Sequence, residues 1–199
     1  MYERKDALYR RAKREGYRSR AAYKLLELQR RTRLLKRGDV VIDLGAWPGG
    51  WLQVAAELVG PEGRVLGIDL VPIDALPLAQ VALLCADVAE PDLPVRALGL
   101  LGRRADAVLS DLAPKLSGVA PRDQARSVEL VENVLRMAAA TLRTGGALVI
   151  KMLGATETAS ARAALRATCN SVRLIGLDAT RKGSSELYLV ALGYRARPA

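Results

Sequence analysis

Short apolar, β-branched runs alternate along this chain with segments of helical spacing, and this alternation constrains the fold more than any other feature. Seven such runs predict strands, at 39–44, 64–68, 81–85, 105–110, 147–152, 172–175 and 186–192. Helical spacing predicts helices at 50–59, 122–142 and 159–168. Because strands that alternate with helices are joined by right-handed crossovers, we expect an α/β fold with a mostly parallel seven-stranded sheet and helices on both faces.

A further helix leads into this sheet from the N-terminal side. The apolar residues within 22–28 have helical spacing, with Ser19 as the predicted N-cap and Gly38 as the stop. No linker or low-complexity tract follows it. We therefore divide the chain into a basic N-terminal arm and helix at 1–38 and one α/β domain at 39–199.

The excess positive charge lies almost entirely in the arm. Residues 1–39 contain 14 Lys and Arg against 5 Asp and Glu, whereas the other 160 residues contain 17 against 16. Cationic groups neutralise phosphates and aromatic faces stack on unpaired bases, so the arm is expected to bind nucleic acid, with Arg18 and Arg20 among the contacts. The structural alternative is a solvated helix face in a chain that uses Arg heavily. An anionic membrane surface is the weaker rival, because the arm lacks a wide apolar face. The arm also contains four of the six tyrosines, Tyr2, Tyr9, Tyr17 and Tyr23.

Composition excludes several classes of function. The chain has no histidine, so it cannot supply a Ser-His-Asp or Cys-His nucleophile or a His-bearing zinc site. Cys85 and Cys169 are unlike a disulfide framework or a metal cluster, and we expect no metal. No apolar run reaches the ~20 residues that a membrane span needs. We expect a soluble, cytoplasmic, monomeric protein without a membrane partner.

The segment after the first predicted strand, 43–51 (DLGAWPGGW), is a candidate ligand loop. The small residues Gly45, Gly49 and Gly50 allow the backbone to turn sharply and to approach a ligand closely at a helix start. The spacing differs from the dinucleotide pattern Gly-x-Gly-x-x-Gly, and Pro48 removes one of the N–H donors that a pyrophosphate needs. The loop therefore favours a ligand that depends less on phosphate.

Two acidic residues indicate the chemistry of that ligand. Asp69 ends the second strand, where a carboxylate can accept hydrogen bonds from both hydroxyls of a ribose, and Asp87 follows the third, within reach of an adenine amino group. Acidic residues around a nucleoside suit a positively charged, phosphate-free cofactor such as S-adenosylmethionine. The structural alternative is that the glycines form only a loop and that both aspartates are helix caps.

Four more residues are predicted to surround the same crevice: Lys24, Asp111, Lys151 and Glu186. The lysines stand out because the chain uses 24 Arg and only 7 Lys. An Arg stays protonated, whereas a Lys crowded by burial or by another cation can lose its proton near neutrality, so Lys151 is the best candidate for a base. Taken singly, each residue is better explained as a surface or ion-pair residue. Their joint placement indicates catalysis.

This set resembles the K-D-K-E tetrad of the FtsJ/RrmJ-type (RlmE) ribosomal RNA ribose 2'-O-methyltransferases. The surrounding stretches RSRAAYKLLEL, DLGAWPGGW, SDLAPKLSG and ELYLVALG are similar to that family's, in the same order. The resemblance implies a Rossmann-like S-adenosylmethionine-dependent methyltransferase fold with an antiparallel last strand. In bacterial members the target is a uridine ribose in the peptidyl-transferase region of large-subunit ribosomal RNA. It also implies a set of cofactor-binding residues, namely Gly49, Trp51, Asp69, Asp87 and Asp111.

The resemblance also implies that Lys151 is the catalytic lysine. We expect Lys151 to take the 2'-OH proton, Asp111 to orient Lys151, Lys24 to favour its neutral form and hold the substrate, and Glu186 to accept a hydrogen bond from the hydroxyl or from Lys24. Two departures stand out: Trp47 occupies a position where a small residue is usual, and 152–156 (MLGAT) lacks the Gln-Gly-Glu character of bacterial members.

Three alternatives remain open at this point. Relatives that methylate transfer-RNA or messenger-cap ribose share the tetrad. A nicotinamide-dependent oxidoreductase is disfavoured by Pro48 and by the missing Gly-x-Gly. A non-catalytic RNA-binding protein of ribosome assembly would use the same fold without the chemistry.

Overall fold

A computed structural model describes residues 7–115, 117–180 and 186–195 of the chain. Seven strands form one sheet in the order β3-β2-β1-β4-β5-β7-β6. The first five strands are parallel, and β7 runs antiparallel between β5 and β6. Their bounds are β1 Val40–Leu44, β2 Arg64–Asp69, β3 Val81–Cys85, β4 Ala105–Ser110, β5 Leu142–Met152, β6 Cys169–Ile175 and β7 Leu187–Tyr194. The predicted fold class is therefore confirmed, including the antiparallel last strand.

Helices cover both faces of the sheet. Their bounds are α1 Ala7–Arg14, α2 Ala22–Thr32, α3 Gly50–Val59, α4 Leu93–Leu101, α5 Ala120–Thr141 and α6 Ala155–Thr168. Alternate residues of the central strands point to opposite faces, so Val41 packs with α2 and α3 while Ile42 packs with α4 and α5. None of the helices in the described residues has the length and apolar character that crossing a membrane requires.

The helix that leads into the sheet differs from its prediction. It begins at Ala22, and Ser19 does not cap it, because the Ser19 side chain is buried against the start of α3 instead. Arg33 in the left-handed conformation (φ 50°) ends the helix, five residues before the predicted Gly38. Because Ala22, Leu25 and Leu28 are buried in the same cluster as α3, this helix is part of the core.

Other boundaries also differ from the sequence pattern. The sequence pattern does not predict helix α4, because its nine residues are too few for a clear helical period. Pro94 in its first turn and Gly102 at its end are nevertheless typical helix signals. The long helix α5 ends at Thr141, and β5 begins directly after it, with Gly145 at φ 85° inside the strand range. Strand β7 begins at Leu187, so Glu186 precedes it.

Candidate active site

The carboxyl-terminal ends of β1, β4 and β5 meet at one edge of the sheet, and the candidate catalytic residues lie there. Asp111 follows β4, and its backbone N–H donates to the Leu44 carbonyl at 3.2 Å. Lys151 lies near the end of β5 and is paired in register with Tyr188 of β7. Helix α2 packs over this edge and supplies Lys24. The edge therefore gathers side chains from four separate parts of the chain.

The four predicted tetrad residues form one connected cluster. Lys24 Nζ lies 2.6 Å from Glu186 Oε1 and 3.6 Å from Asp111 Oδ1. Lys151 Nζ lies 3.2 Å from the same Asp111 oxygen and also donates to the Asp111 backbone carbonyl. Each of the four side chains is between 9% and 18% exposed. The Nζ atoms of two lysines thus approach one carboxylate oxygen in a site largely screened from water.

Tyr188 lies at the centre of this cluster, and the sequence reasoning missed it. Its fully buried hydroxyl is 2.6 Å from Asp111 Oδ1, 2.7 Å from Glu186 Oε1 and 3.1 Å from Lys24 Nζ. A phenol has one proton, so it donates to one carboxylate at a time while it accepts from Lys24. Burial, reinforced by Asp111 and Glu186, raises the pKa of Tyr188 far above its usual range. The period of two in the predicted strand 186–192, which puts residue 188 on the same face as residue 186, could have revealed it.

The loop between β1 and α3 is built around two glycines in the left-handed region. Gly45 has φ 80°, and a Cβ there would meet Leu112 at 2.9 Å. Gly49 has φ 111° and precedes the first residue of α3. Side chains are strained in this conformation, so both positions require glycine. Gly50, the first residue of α3, lies against Ser19. The loop therefore presents a close-packed backbone at the start of a helix.

Asp69 connects this loop to the segment after β2. One carboxylate oxygen accepts from Trp47 N–H and the other from Val71 N–H, both at 2.9 Å. A carboxylate has about four lone-pair positions, so two remain available for ribose hydroxyls. Asp87 accepts from Ala89 N–H at 2.9 Å and lines a cleft of ≈ 260 Å³ with Pro114. Both aspartates therefore shape turns in the structure.

Known proteins are similar to this chain over most of its length. A family model described as "FtsJ-like methyltransferase" matches residues 17–194. The chain belongs to the FtsJ-like methyltransferase family. It is 42% identical over 97% of its length to a protein of Methanothermobacter thermautotrophicus, and 43% identical over 98% to one of Myxococcus xanthus, with 92% of each relative covered. Both relatives are named "Ribosomal RNA large subunit methyltransferase E".

Solved structures agree with this membership. A ribosomal RNA methyltransferase from Plasmodium falciparum has a TM-score of 0.79 at 27% identity, covering 91% of this chain and 100% of that one. Fibrillarin from Aeropyrum pernix, solved with S-adenosyl-L-methionine bound, has a TM-score of 0.61 at 17% identity, covering 89% and 76%, which shows a shared fold. As an FtsJ-like methyltransferase, this chain is an enzyme, and its cofactor is S-adenosylmethionine, as predicted.

The residues present fit that cofactor. Asp43, at the end of β1, is completely buried, and neither of its carboxylate oxygens has a hydrogen-bond partner among the described residues. Burial, with smaller contributions from Asp111 and Asp69, raises the pKa of Asp43 well above its usual range. Asp43, Asp69 and Asp111 thus lie near one another at the end of the sheet beside the glycine loop. A ligand with positive charge and no phosphate would offset this clustering of acidic groups.

The remaining predicted residues differ in burial and in their contacts. Trp51 is buried, donates through Nε1 to the Ala21 carbonyl at 2.8 Å and packs against Tyr188 with ring centroids 6.0 Å apart. The guanidinium of Arg18 donates to backbone carbonyls, and Arg20 is half-buried. Trp47 is 57% exposed. Tyr2 lies outside the described residues.

Proposed function

We propose that this FtsJ-like methyltransferase transfers a methyl group from S-adenosylmethionine to a ribose 2'-OH of RNA, and that the target is a uridine of large-subunit ribosomal RNA. The observation that carries the proposal is the placement of Lys151 beside Asp111 at the sheet edge that also bears the glycine loop. The names of the relatives support ribosomal RNA as the substrate class.

Lys151 acts in this proposal as the base. When bound, S-adenosylmethionine supplies an activated methyl group on its sulfonium. The 2'-OH is a poor nucleophile until it loses its proton, so the neutral amine of Lys151 accepts that proton as the oxygen attacks in line. The amine becomes an ammonium beside Asp111, whose carboxylate stabilises the new charge. Holding the two reactants in this alignment supplies the rest of the catalysis.

The other members of the cluster position Lys151 and the substrate. Asp111 fixes the Lys151 side chain through its carboxylate and its backbone carbonyl. Glu186 pairs with Lys24 at 2.6 Å, which holds the Lys24 side chain in the cluster. Lys24 and Lys151 approach the same Asp111 oxygen, so Asp111 connects the proposed base to the lysine that holds the substrate.

The N-terminal arm is the proposed RNA contact. Helix α1 exposes Arg10, Lys13 and Arg14, whose spacing of three and four residues puts them on one face. The opposite face packs through Ala12 against Tyr23 and Ala179. Three exposed cations on a helix held against the enzyme suit the phosphates that flank a target nucleotide.

We further propose that the enzyme acts as a cytoplasmic monomer on a large-subunit particle.

Mapping the methylated nucleotide tests the proposed function. The purified protein is incubated with radiolabelled S-adenosylmethionine and with large-subunit particles, naked ribosomal RNA, transfer RNA or capped messenger RNA, and the product nucleotides are identified by mass spectrometry. We expect a 2'-O-methyluridine in large-subunit RNA. Methylation of transfer RNA or of a cap would assign another target, and label in a base would contradict ribose chemistry. A parallel melting experiment should show protection by S-adenosylmethionine and none by NAD.

A further inference from the structure

Arg18 connects two loops that flank the proposed cofactor site. Its guanidinium donates to the backbone carbonyls of Asp74 at 2.6 Å, Ala75 at 2.7 Å and Pro48 at 3.3 Å. Pro48 belongs to the glycine loop after β1, whereas Asp74 and Ala75 belong to the connection between β2 and β3. A rigid fork of donors is suited to hold several carbonyl groups in a fixed arrangement. One side chain therefore bridges these two segments.

The same two loops are also bridged by Asp69. Its carboxylate joins Trp47 N–H to Val71 N–H, one residue before Pro48 and three before Asp74. The Asp69 bridge uses backbone donors, and the Arg18 bridge uses backbone acceptors. Together they fix the separation of the glycine loop from the segment that follows β2. The position of the Asp69 carboxylate, and so of the lone pairs that it offers to a ribose, depends on that separation.

Arg18 is itself held in place by contacts along α3. Its backbone N–H donates to Gln53 Oε1 at 2.8 Å, and Gln53 Nε2 donates to the Gly16 carbonyl at 2.9 Å. The Tyr17 hydroxyl donates to Glu57 at 3.0 Å. These bonds fix residues 16–18 to the helix that begins at the glycine loop. The Arg18 stem then passes over Gly49, where a Cβ would lie 3.1 Å from Arg18 Cδ.

We propose that Arg18 is a positioning residue for the cofactor, which holds the loop of Gly49 against the loop of Asp74 and so preorganises the ribose-binding part of the site. The proposal rests on the cofactor assignment within the proposed function. Because the Arg18 guanidinium already donates to three backbone carbonyls, the phosphate contacts of the arm come from the exposed cations of α1. A single arm thus combines cofactor positioning at Arg18 with RNA contact farther toward the N-terminus.

Direct binding of S-adenosylmethionine tests this role. Affinity is measured by isothermal titration calorimetry for the wild type, Arg18→Met, Arg18→Lys and Arg14→Ala. Met keeps the apolar stem over Gly49 but removes the donors, so we expect about 10- to 100-fold weaker binding, equivalent to one or two charge-assisted hydrogen bonds. Lys retains a charge without the fork and should fall between Met and the wild type. The exposed Arg14 should leave cofactor affinity unchanged.

The salt dependence of RNA binding supplies the second readout. Removing one phosphate contact makes the slope of log K against log salt shallower by about 0.7 to 0.9. We expect this decrease for Arg14→Ala and an unchanged slope for Arg18→Met. Wild-type cofactor affinity in Arg18→Met, or a shallower slope in that variant, would overturn the inference. If the wild type itself bound no S-adenosylmethionine, the proposed function would fail instead. Circular dichroism of each variant excludes loss of the fold.

Discussion

The hydroxyl of Tyr188 lies 2.6 Å from Asp111 Oδ1, the oxygen that Lys151 Nζ approaches at 3.2 Å. This hydroxyl is completely buried and also contacts Glu186 and Lys24. Tyr188 therefore links Asp111, which holds the proposed base, to Glu186 and Lys24. Networks of this kind in a screened site stabilise one arrangement of charge strongly. Tyr188 therefore sets the hydrogen bonding of Asp111, and through it the position of Lys151.

Removing the Tyr188 hydroxyl should slow the reaction without weakening cofactor binding. Tyr188→Phe leaves Asp111 and Glu186 short of a buried donor, and hydrogen bonds to charged groups contribute about 1.5 to 3 kcal/mol, so kcat should fall about 10- to 100-fold. The pH profile of kcat should also shift, whereas the affinity for S-adenosylmethionine should not change. Tyr194→Phe, in the same strand, is the matched control. An unaltered profile with an unaltered kcat would remove Tyr188 from the mechanism.

Replacing Lys151 should abolish methyl transfer. Both Lys151→Ala and Lys151→Arg remove a general base, which typically contributes 10²- to 10⁴-fold, so turnover should fall by at least about 100-fold. Arg keeps the positive charge beside Asp111 but does not deprotonate, so it separates charge from basicity. Single-turnover methylation of RNA measures the loss, and calorimetry should give cofactor binding close to that of the wild type. Wild-type turnover in Lys151→Arg would refute the base assignment.

Neutralising Asp43 should stabilise the protein in a pH-dependent way. Burial raises the pKa of Asp43 in the folded state above its ordinary value of 3.8, so the folded state binds that proton more tightly than the unfolded chain does. This contribution to stability is fully present below pH 3.8 and is lost as the pH rises toward the folded value. Asp43→Asn, which imitates the neutral acid, should therefore resemble the wild type near pH 3.5.

At pH 8, in contrast, Asp43→Asn should melt higher than the wild type by about 4 °C or more. Thermal unfolding of the cofactor-free protein, followed by circular dichroism in steps from pH 3.5 to 8, measures the difference. Glu62→Gln, at an exposed position, is the control for loss of a carboxylate. A difference between Asp43→Asn and the wild type that stayed constant across the series would argue against the buried-acid account.

The contact between Gly50 and Ser19 predicts a rescue experiment. A Cβ at Gly50 would lie 2.3 Å from Ser19 Oγ, an atom with no hydrogen-bond partner in the described part of the chain. Gly50→Ala should cost about 1 to 3 kcal/mol of stability through overpacking. Ser19→Ala alone should cost little, and the double variant should recover most of the loss. Urea unfolding measures all three variants, and purely additive effects would contradict a direct contact.

The sequence is sufficient to predict the sheet and half of the tetrad because strand ends obey general rules. Asp111 and Lys151 follow or end neighbouring parallel strands, so their side chains have to meet at one edge. The sequence analysis also puts Lys24 and Glu186 at this crevice, but no general rule of α/β sheets brings the helix that precedes the sheet over that edge. The structure shows that α2 is buried there because Leu25 and Leu28 complete the core against α3.

What the sequence does not predict depends on contacts between distant segments. A basic stretch predicts an RNA contact at Arg18, but charge counts do not reveal the three carbonyl groups around its guanidinium. Ser19 is a residue type that often caps helices, but in the structure its side chain packs against Gly50. Asp43 is one letter of the glycine-loop motif, and only the surroundings in the folded chain show that its carboxyl group is isolated.

The position of β7 between β5 and β6 has a consequence for biosynthesis. A ribosome-bound chain that has exposed everything up to β6 already contains Lys24, Asp111 and Lys151, but it lacks both Glu186 and Tyr188. Its fifth and sixth strands cannot yet be joined, because the strand between them is the latest of the seven to be translated. We therefore expect catalytic competence only after translation of this strand, and we expect a product that ends before β7 to lack methyl transfer.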